Sequence, residues 1–235
     1  MPSSAETDLI QELEHAQRLH QARLVSPRLA AALDRVAAFQ SKRLNATYVD
    51  LARDRRYAEA IKFFQSDLYG PGDYSRRDAD LARVVPIMAR VLPDGVIATV
   101  AKAIELSALS HELDRALVAK LGEASPLSVA SYCVAYRACD NRRDRERQIA
   151  LIVQVGTALD RYVHLPLLRS TLAAMRRPAR IAGVGALQEF LERGLLSFRG
   201  MNGAGEFLAV IEARETAIMQ AILAGEEKPF AEPPA

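Results

Sequence analysis

Apolar residues recur every three or four positions along most of the chain, and this spacing limits the fold more than any other feature. It is the spacing of an amphipathic α-helix, whereas no stretch shows the convincing two-residue alternation that indicates a strand. The segment 95–121 carries one stripe of Ile97, Val100, Ile104 and Ala108 and a second of Leu106, Leu109, Leu113, Leu117 and Leu121. We therefore predict an all-α protein: a single bundle of about nine or ten helices, with mostly antiparallel neighbours and no sheet.

Serine, proline and glycine mark where the helices begin and end. Ser26 followed by Pro27 predicts an N-cap and a first helical residue, and Gly225 predicts the end of the last helix. Among the expected helices are 5–24, 27–53, 56–69, 95–121, 126–138, 166–177 and 204–224. No linker divides the chain, so we expect one helical domain over residues 1–225 and a disordered, Pro-rich acidic tail over 226–235.

The composition is that of an ordinary soluble protein. Half of the 235 residues are hydrophobic and 26% are charged, and 31 basic residues against 29 acidic ones leave a net charge of +2. A nucleic-acid-binding protein usually has a larger and clustered basic excess, so a nucleic-acid partner is not expected. No apolar run approaches the roughly 18–20 residues that span a bilayer, so we expect no membrane span.

The two cysteines and the first residues indicate a cytoplasmic protein. Cys133 and Cys139 are six positions apart on one predicted helix, so their side chains point in different directions and cannot form a disulfide. Reduced thiols are typical of the cytoplasm. Residues 1–8 contain neither the basic region nor the apolar region of a secretion signal, and we expect none.

Aromatic residues are concentrated in the segment 61–74, which contains four of the fourteen Phe and Tyr residues of a chain without Trp. Because aromatic side chains bury much apolar surface, this segment is expected to anchor the core. Polar residues around the end of its helix are candidates for a binding site: Asp73, Tyr74, Arg77 and Asp78.

The same segment contains a motif, which reads Phe63-Phe64-Gln65-Ser66-Asp67-Leu68-Tyr69. It resembles the motif of a bacterial group of uncharacterised proteins named after "FFLEELY", and it differs at Gln65, Ser66 and Asp67. Similar segments follow at Arg147-Gln148, Met175-Arg176-Arg177-Pro178-Ala179, Phe190-Leu191-Glu192-Arg193-Gly194 and Arg214-Glu215. The resemblance covers roughly residues 45–224 and implies a single helical domain in a bacterial protein. It implies no catalytic residue.

Histidines supply one cofactor candidate. His111 continues the first apolar stripe of 95–121, so it is placed to face the interior from a central helix. An inward histidine in an all-α protein could be an axial haem ligand, and the alternative is a partly buried histidine bonded to a neighbour. Glu12 and His15 form a Glu-x-x-His unit, but a di-iron bundle needs a second copy, which we do not find. We therefore expect no metal site.

Arginines form two local clusters. The first comprises Arg142, Arg143, Arg145 and Arg147 at the start of a predicted helix. Asp144 and Glu146 alternate with them, which predicts an exposed, salt-bridged face, although basic residues oppose the helix dipole there. The second comprises Arg176, Arg177 and Arg180. It contains no acidic residue and could bind phosphate, but cations are also favoured at a helix C-terminus for purely structural reasons.

The last two predicted helices carry many charges for an apolar region. These are Glu189, Glu192, Glu206, Glu212, Glu215, Arg193, Arg199 and Arg214. Some of them must point inward or toward a cleft. Buried Arg–Glu pairs can fix the geometry of a core without adding net stability, and a cleft lined this way could bind a polar small molecule.

Three functional hypotheses follow, and the sequence contains no catalytic constellation to decide between them. The first, which we favour, is a partner-binding or regulatory module without catalytic activity that presents a surface to another protein or to a second copy of itself. The second is a helical protein that binds a ligand or cofactor, either haem or a small apolar molecule, and that could be an enzyme. It predicts an apolar cavity near Phe63–Tyr74 or near His111. The third is nucleic-acid binding through the two arginine clusters.

Overall fold

A computed structural model describes residues 3–63, 93–181 and 185–231, and within these ranges the chain forms ten helices and no strand. The helices are α1 (Ser4–Leu24), α2 (Pro27–Thr47), α3 (Val49–Arg53), α4 (Ala58–Phe63), α5 (Asp94–Leu121), α6 (Val129–Ala138), α7 (Arg142–Val163), α8 (Pro166–Ile181), α9 (Gly185–Gly200) and α10 (Gly205–Ala224). They pack as a helical bundle, so the predicted all-α fold is confirmed. None of the helices in these ranges combines the length and the apolar character that a membrane crossing requires.

Local hydrogen bonds explain several helix ends. The Ser26 hydroxyl accepts the N–H of Leu29 at 3.2 Å, and Pro27 is the first residue of α2, as predicted. Gly225 has a φ of +84° and its N–H bonds to carbonyls of the last turn of α10. This left-handed conformation suits glycine, so the predicted end of the last helix is confirmed.

Some helix boundaries differ from the prediction. The helix expected over 27–53 is interrupted at Tyr48, which leaves the helical conformation with φ −113° and ψ 21°. The helix expected from residue 126 begins at Val129 instead. There Ser128 and Ser131 form a reciprocal cap, in which each hydroxyl accepts the backbone N–H of the other residue. This cap satisfies two N–H groups at Ser128 and Ser131, which explains the later start.

The predicted end of the eighth helix at residue 177 is also wrong, because α8 continues through Pro178 to Ile181. A proline removes one backbone donor from a helix, but its fixed φ of about −65° is itself helical. One lost hydrogen bond therefore does not force the helix to end.

The described core consists of three clusters of buried side chains. The first contains Tyr48, Tyr57, Ile61, Ile152, Phe198, Met201 and Phe207 among others, and the second contains Val36, Leu117, Tyr132, Tyr136, Met219 and Ile222 among others. The third joins α1 to α5 through Leu9, Leu13, Ile97 and Ile104. Helix α10 contributes Phe207 and Leu208 to the first cluster and Met219 and Ile222 to the second. The first two clusters therefore meet along α10.

A disordered tail was predicted for 226–235, and residues 226–231 of this segment are among those that the structure describes. Phe230 is only 9% exposed. Its ring centroid lies 6.1 Å from that of Tyr132 and 6.4 Å from that of Phe39, both in edge-on arrangements. The prediction rested on the charge and proline content of the segment. At Phe230, aromatic contacts hold the chain against the second cluster.

Helices α7 and α10 approach closely at Gly156, where a Cβ atom would overlap the buried side chain of Leu208. We expect Gly156→Ala to overpack this contact. Gly200→Ala is a matched control, because nothing lies within 4 Å of the added Cβ. Measured by urea unfolding, the first variant should be less stable than the second by about 1–3 kcal/mol. Equal stabilities would mean that Leu208 moves aside freely.

Candidate functional site

A cavity of about 80 Å³ lies where the first and second core clusters meet, between α2, α6, α7 and α10. Its lining comprises Gln40, Arg43, Leu44, Tyr48, Ile61, Tyr132, Tyr136, Arg145, Gln148, Ile149, Ile152, Ile211, Glu215, Ile218, Met219 and Ile222. This volume is enough for several water molecules or a small organic molecule. The lining combines an apolar wall with a few convergent polar groups, which is the usual make-up of a ligand site.

One wall of the cavity contains a buried ion pair. Arg43, which is 7% exposed, donates from Nη1 and Nη2 to the two oxygens of Glu215 at 3.0 and 2.9 Å. The Tyr48 hydroxyl donates to the same carboxylate at 2.8 Å. Burial lowers the pKa of Arg43, but the charge and hydrogen bonds of Glu215 raise it by more, so the guanidinium stays ionised. The positive charge of Arg43 and the negative charge of Glu215 therefore cancel, so the pair has no net charge.

A second arginine lines the cavity without such a partner. Arg145 is 4% exposed, although the sequence predicted that it would lie on a solvated face. Its guanidinium carbon lies 4.5 Å from the ring centroid of Tyr136, and Nη1 is 3.4 Å from the side-chain oxygen of Gln148. No group in the described ranges accepts a hydrogen bond from its Nε or Nη2 atom. The cavity thus contains a buried cation with two unpaired donors.

Asp114 on α5 supplies negative charge near this cation. Gln40, which lines the cavity, donates from Nε2 to Oδ1 of Asp114 at 2.5 Å. Burial raises the pKa of Asp114 to about 6, while the charge of Arg145 and the hydrogen bond from Gln40 oppose this rise. The carboxyl group is therefore expected to change its charge in the mildly acidic range.

The raised pKa of Asp114 predicts a pH-dependent stability. A carboxyl whose pKa is higher in the folded protein binds its proton more tightly there, so its contribution to stability falls as pH rises from about 4 to about 6. Asp114→Asn cannot titrate. We expect this variant to gain stability relative to the wild type between pH 4.5 and pH 7.5, as measured by urea unfolding.

Asp50→Asn is the control for this experiment. Hydrogen bonds from Arg214 lower the pKa of Asp50 to about 2, so this carboxylate stays charged throughout the same pH window. The difference in stability between Asp50→Asn and the wild type should therefore not change with pH. A pH-independent difference for Asp114→Asn as well would contradict the raised pKa.

The other residues singled out from the sequence lie elsewhere. Asp73, Tyr74, Arg77 and Asp78 fall outside the described residues. His111 is half-buried on α5 and does not line the cavity. Phe63, from the aromatic segment, is buried at 6% exposure, and Ile61 just before it contributes to the cavity wall.

The second arginine cluster is exposed on α8. Arg176, Arg177 and Arg180 all lie near the end of this helix. Nε of Arg176 donates to Glu192 on α9 at 2.7 Å, and this bond lowers the pKa of the carboxylate. One of the three cations is thus already paired with a carboxylate.

The described parts of the chain show no arrangement of side chains that could coordinate a metal ion. His15 lies 3.0 Å from Glu112 through Nε2. Across residues 3–63, 93–181 and 185–231, no group of three or more His, Cys, Asp or Glu side chains is placed to hold a metal ion.

The sequence reasoning missed Arg43 and the inward position of Arg145, although the helical spacing contains both. Arg145 lies four and seven positions before Ile149 and Ile152, so all three share one face of α7. Arg43 lies seven positions after Val36, on the face of α2 that is buried. Extending each apolar stripe by one turn, whatever the charge of the next residue, would have found both arginines.

Comparison with known proteins adds the family. No significant match was found among curated proteins or among solved structures. A family described as "Domain of unknown function (DUF8198)" matches residues 17–229. This range includes α2 to α10 and all the residues that line the cavity, and the chain therefore belongs to that family.

Proposed function

We propose that the protein binds a small organic molecule in the cavity between α2, α6, α7 and α10. The observation that carries this proposal is the presence of polar groups from several helices around an internal space of about 80 Å³. A core selected for stability alone would be filled with apolar side chains, because cavities and buried charges both cost stability. A binding site explains why both are present here.

The lining suits a ligand with an apolar part and a polar end. Six isoleucines line the cavity: Ile61, Ile149, Ile152, Ile211, Ile218 and Ile222. The polar groups of Arg43, Glu215 and Tyr48 bond to one another, so they form a rigid wall. The aromatic faces of Tyr132 and Tyr136 complete the lining. Groups fixed in this way need little reordering when a ligand binds, which favours affinity.

Filling the cavity provides a direct experiment. Ile152→Phe adds volume at a lining residue that is only 9% exposed. Leu196→Phe is the control, since Leu196 is 63% exposed on α9 and does not line the cavity. Ligand-observed NMR with a library of neutral and charged small molecules should detect binders to the wild type and to the control. We expect at least tenfold weaker binding to Ile152→Phe. The proposal fails if no molecule binds, or if every binder is indifferent to Ile152→Phe.

Other expectations from the sequence stay predictions. Binding of a protein partner or of a second copy is checked by the mass of the protein in solution, measured by light scattering. Free thiols at Cys133 and Cys139 support a cytoplasmic location. The resemblance to the bacterial FFLEELY group would be strengthened by relatives that share both the motif and the cavity arginines.

A further inference from the structure

We propose that the ligand is a small monocarboxylate, and that Nε and Nη2 of Arg145 bind its carboxylate group. This inference rests on the proposed function and adds the chemical class of the ligand. It starts from the two donors of Arg145 that have no acceptor among the described residues. A buried donor without an acceptor costs about 1–3 kcal/mol, and more when it is charged, so such groups call for an explanation.

The identity of the two unpaired atoms indicates the shape of the missing acceptor. The single N–H bond of Nε and one N–H bond of Nη2 lie parallel along one edge of the planar guanidinium group. This edge matches the two oxygens of a carboxylate, which it binds through two parallel hydrogen bonds. Nη1, on the other side of the guanidinium group, is the atom that contacts Gln148. The contact with Gln148 therefore uses Nη1 and leaves the edge formed by Nε and Nη2 available for a carboxylate.

A pair of the same kind already occurs inside the protein, where Arg43 binds Glu215 through its Nη1 and Nη2 atoms. There a buried guanidinium binds a carboxylate through two hydrogen bonds of 3.0 and 2.9 Å. Both arginines line the same cavity, and only one of them has a carboxylate partner in hydrogen-bond contact within the described ranges. A carboxylate from the ligand would likewise accept two hydrogen bonds from Arg145, in this case from Nε and Nη2.

Charge limits the ligand to one negative charge. Glu215 is bonded to Arg43, whereas Asp114 acts on the charge of Arg145 without accepting a hydrogen bond from its Nε or Nη2, so these N–H groups remain for a ligand. Asp114 interacts electrostatically with Arg145 and would repel an anion. A doubly charged phosphate would be repelled by Glu215 in the lining and by Asp114 beside Gln40, and such repulsion is strong where little water screens it. A monocarboxylate is therefore favoured over a dianion.

Size and polarity define the rest of the molecule. A cavity of about 80 Å³ excludes a long chain, and the isoleucine wall has no acceptor or donor to offer in its side chains. Burial of each methylene group against this wall contributes about 0.8 kcal/mol. A carboxylate with a short aliphatic chain fits these conditions, and butanoate is the probe that we choose.

The experiment compares butanoate with butanamide, which has nearly the same shape but no charge. Isothermal titration of the full chain at pH 7 should show at least tenfold tighter binding of butanoate. Arg145→Met should weaken butanoate binding at least tenfold, and Arg145→Lys should weaken it less, because lysine keeps the charge but loses the paired donors. Arg143→Met is the matched control, since Arg143 is exposed in the same turn of α7 and should not affect binding.

The outcomes distinguish a failure of the carboxylate inference from a failure of the proposed function. Equal binding of butanamide and butanoate, or full binding of butanoate to Arg145→Met, would overturn the carboxylate inference and leave the proposed function intact. The same holds if only neutral molecules bind in the cavity. Tighter binding of inorganic phosphate than of butanoate would also overturn it. If neither charged nor neutral molecules bind, the proposed function fails as well. The comparison of the two probes needs only the wild-type protein, so it does not depend on the folding of any variant.

Discussion

Glu215→Ala is expected to lower the free energy of unfolding by about 3–5 kcal/mol, as measured by urea unfolding at pH 7. The substitution leaves the guanidinium of Arg43 buried without its carboxylate, and it also removes the acceptor of the Tyr48 hydroxyl. Because Arg43 is only 7% exposed, few water molecules can reach the guanidinium to replace these bonds. The pair thus illustrates how the loss of one partner costs far more than the pair itself contributes.

Two further variants separate this explanation from a simple loss of contacts. Combining Glu215→Leu with Arg43→Met replaces both charges by apolar side chains of similar size, and it should recover most of the lost stability. Glu146→Ala removes the exposed pair of Glu146 and Arg142 on α7 and should change stability by no more than about 0.5 kcal/mol. If the double variant is as unstable as Glu215→Ala, the unpaired buried charge of Arg43 is not the cause of the lost stability.

The fold was predictable because it depends on the sum of many residues. Each helix averages the apolar spacing over several turns, so a single misplaced residue does not change the assignment. Its ends depend on one or two residues each. At Tyr48 a hydrogen bond to Glu215, which is 167 positions away, accompanies the break between α2 and α3. The residues around Tyr48 in the sequence do not indicate this hydrogen bond, so the break could not be predicted from them.

The candidate site was harder to predict because it contains buried charged residues, whereas charged residues usually lie at the surface. A charged side chain is normally assigned to the surface, since burial of an ion costs several kcal/mol. Glu215 lies four positions after Ile211 and three before Ile218, so it is on the buried face of α10. Glu215 is one of the charged residues of the last two predicted helices, of which some were expected to point inward. Its partner Arg43 is 172 positions away, and only the packing of α2 against the bundle reveals it.

Arg145→Met should raise the free energy of unfolding by about 1–3 kcal/mol in the absence of ligand, because it removes a buried cation whose Nε and Nη2 atoms have no acceptor among the described residues. The substitution also removes the contact with the Tyr136 ring, which contributes up to about 2 kcal/mol, and the long hydrogen bond to Gln148. We expect the desolvation of the ion to outweigh these losses. Whether Arg145→Met raises or lowers the free energy of unfolding therefore tests the role of Arg145.

The pH of this measurement matters because Asp114 interacts with Arg145. The pKa of Asp114 is raised to about 6, so at pH 5 the carboxyl is mostly neutral and the removal of Arg145 does not leave an uncompensated carboxylate behind. Urea unfolding at pH 5 should therefore show the full gain, and at pH 7.5 a smaller one. Arg143→Met should stay within about 0.5 kcal/mol of the wild type at both values.

The direction of the change for Arg145→Met distinguishes two roles for this residue. Removal of an arginine that supports the fold would destabilise the protein. An arginine that is kept for a ligand costs stability until the ligand binds, so its removal stabilises the empty protein and abolishes binding. A loss of more than about 1 kcal/mol at pH 5 would place Arg145 in the first group. Stabilisation combined with weaker butanoate binding would place it in the second, because no purely structural role produces both effects.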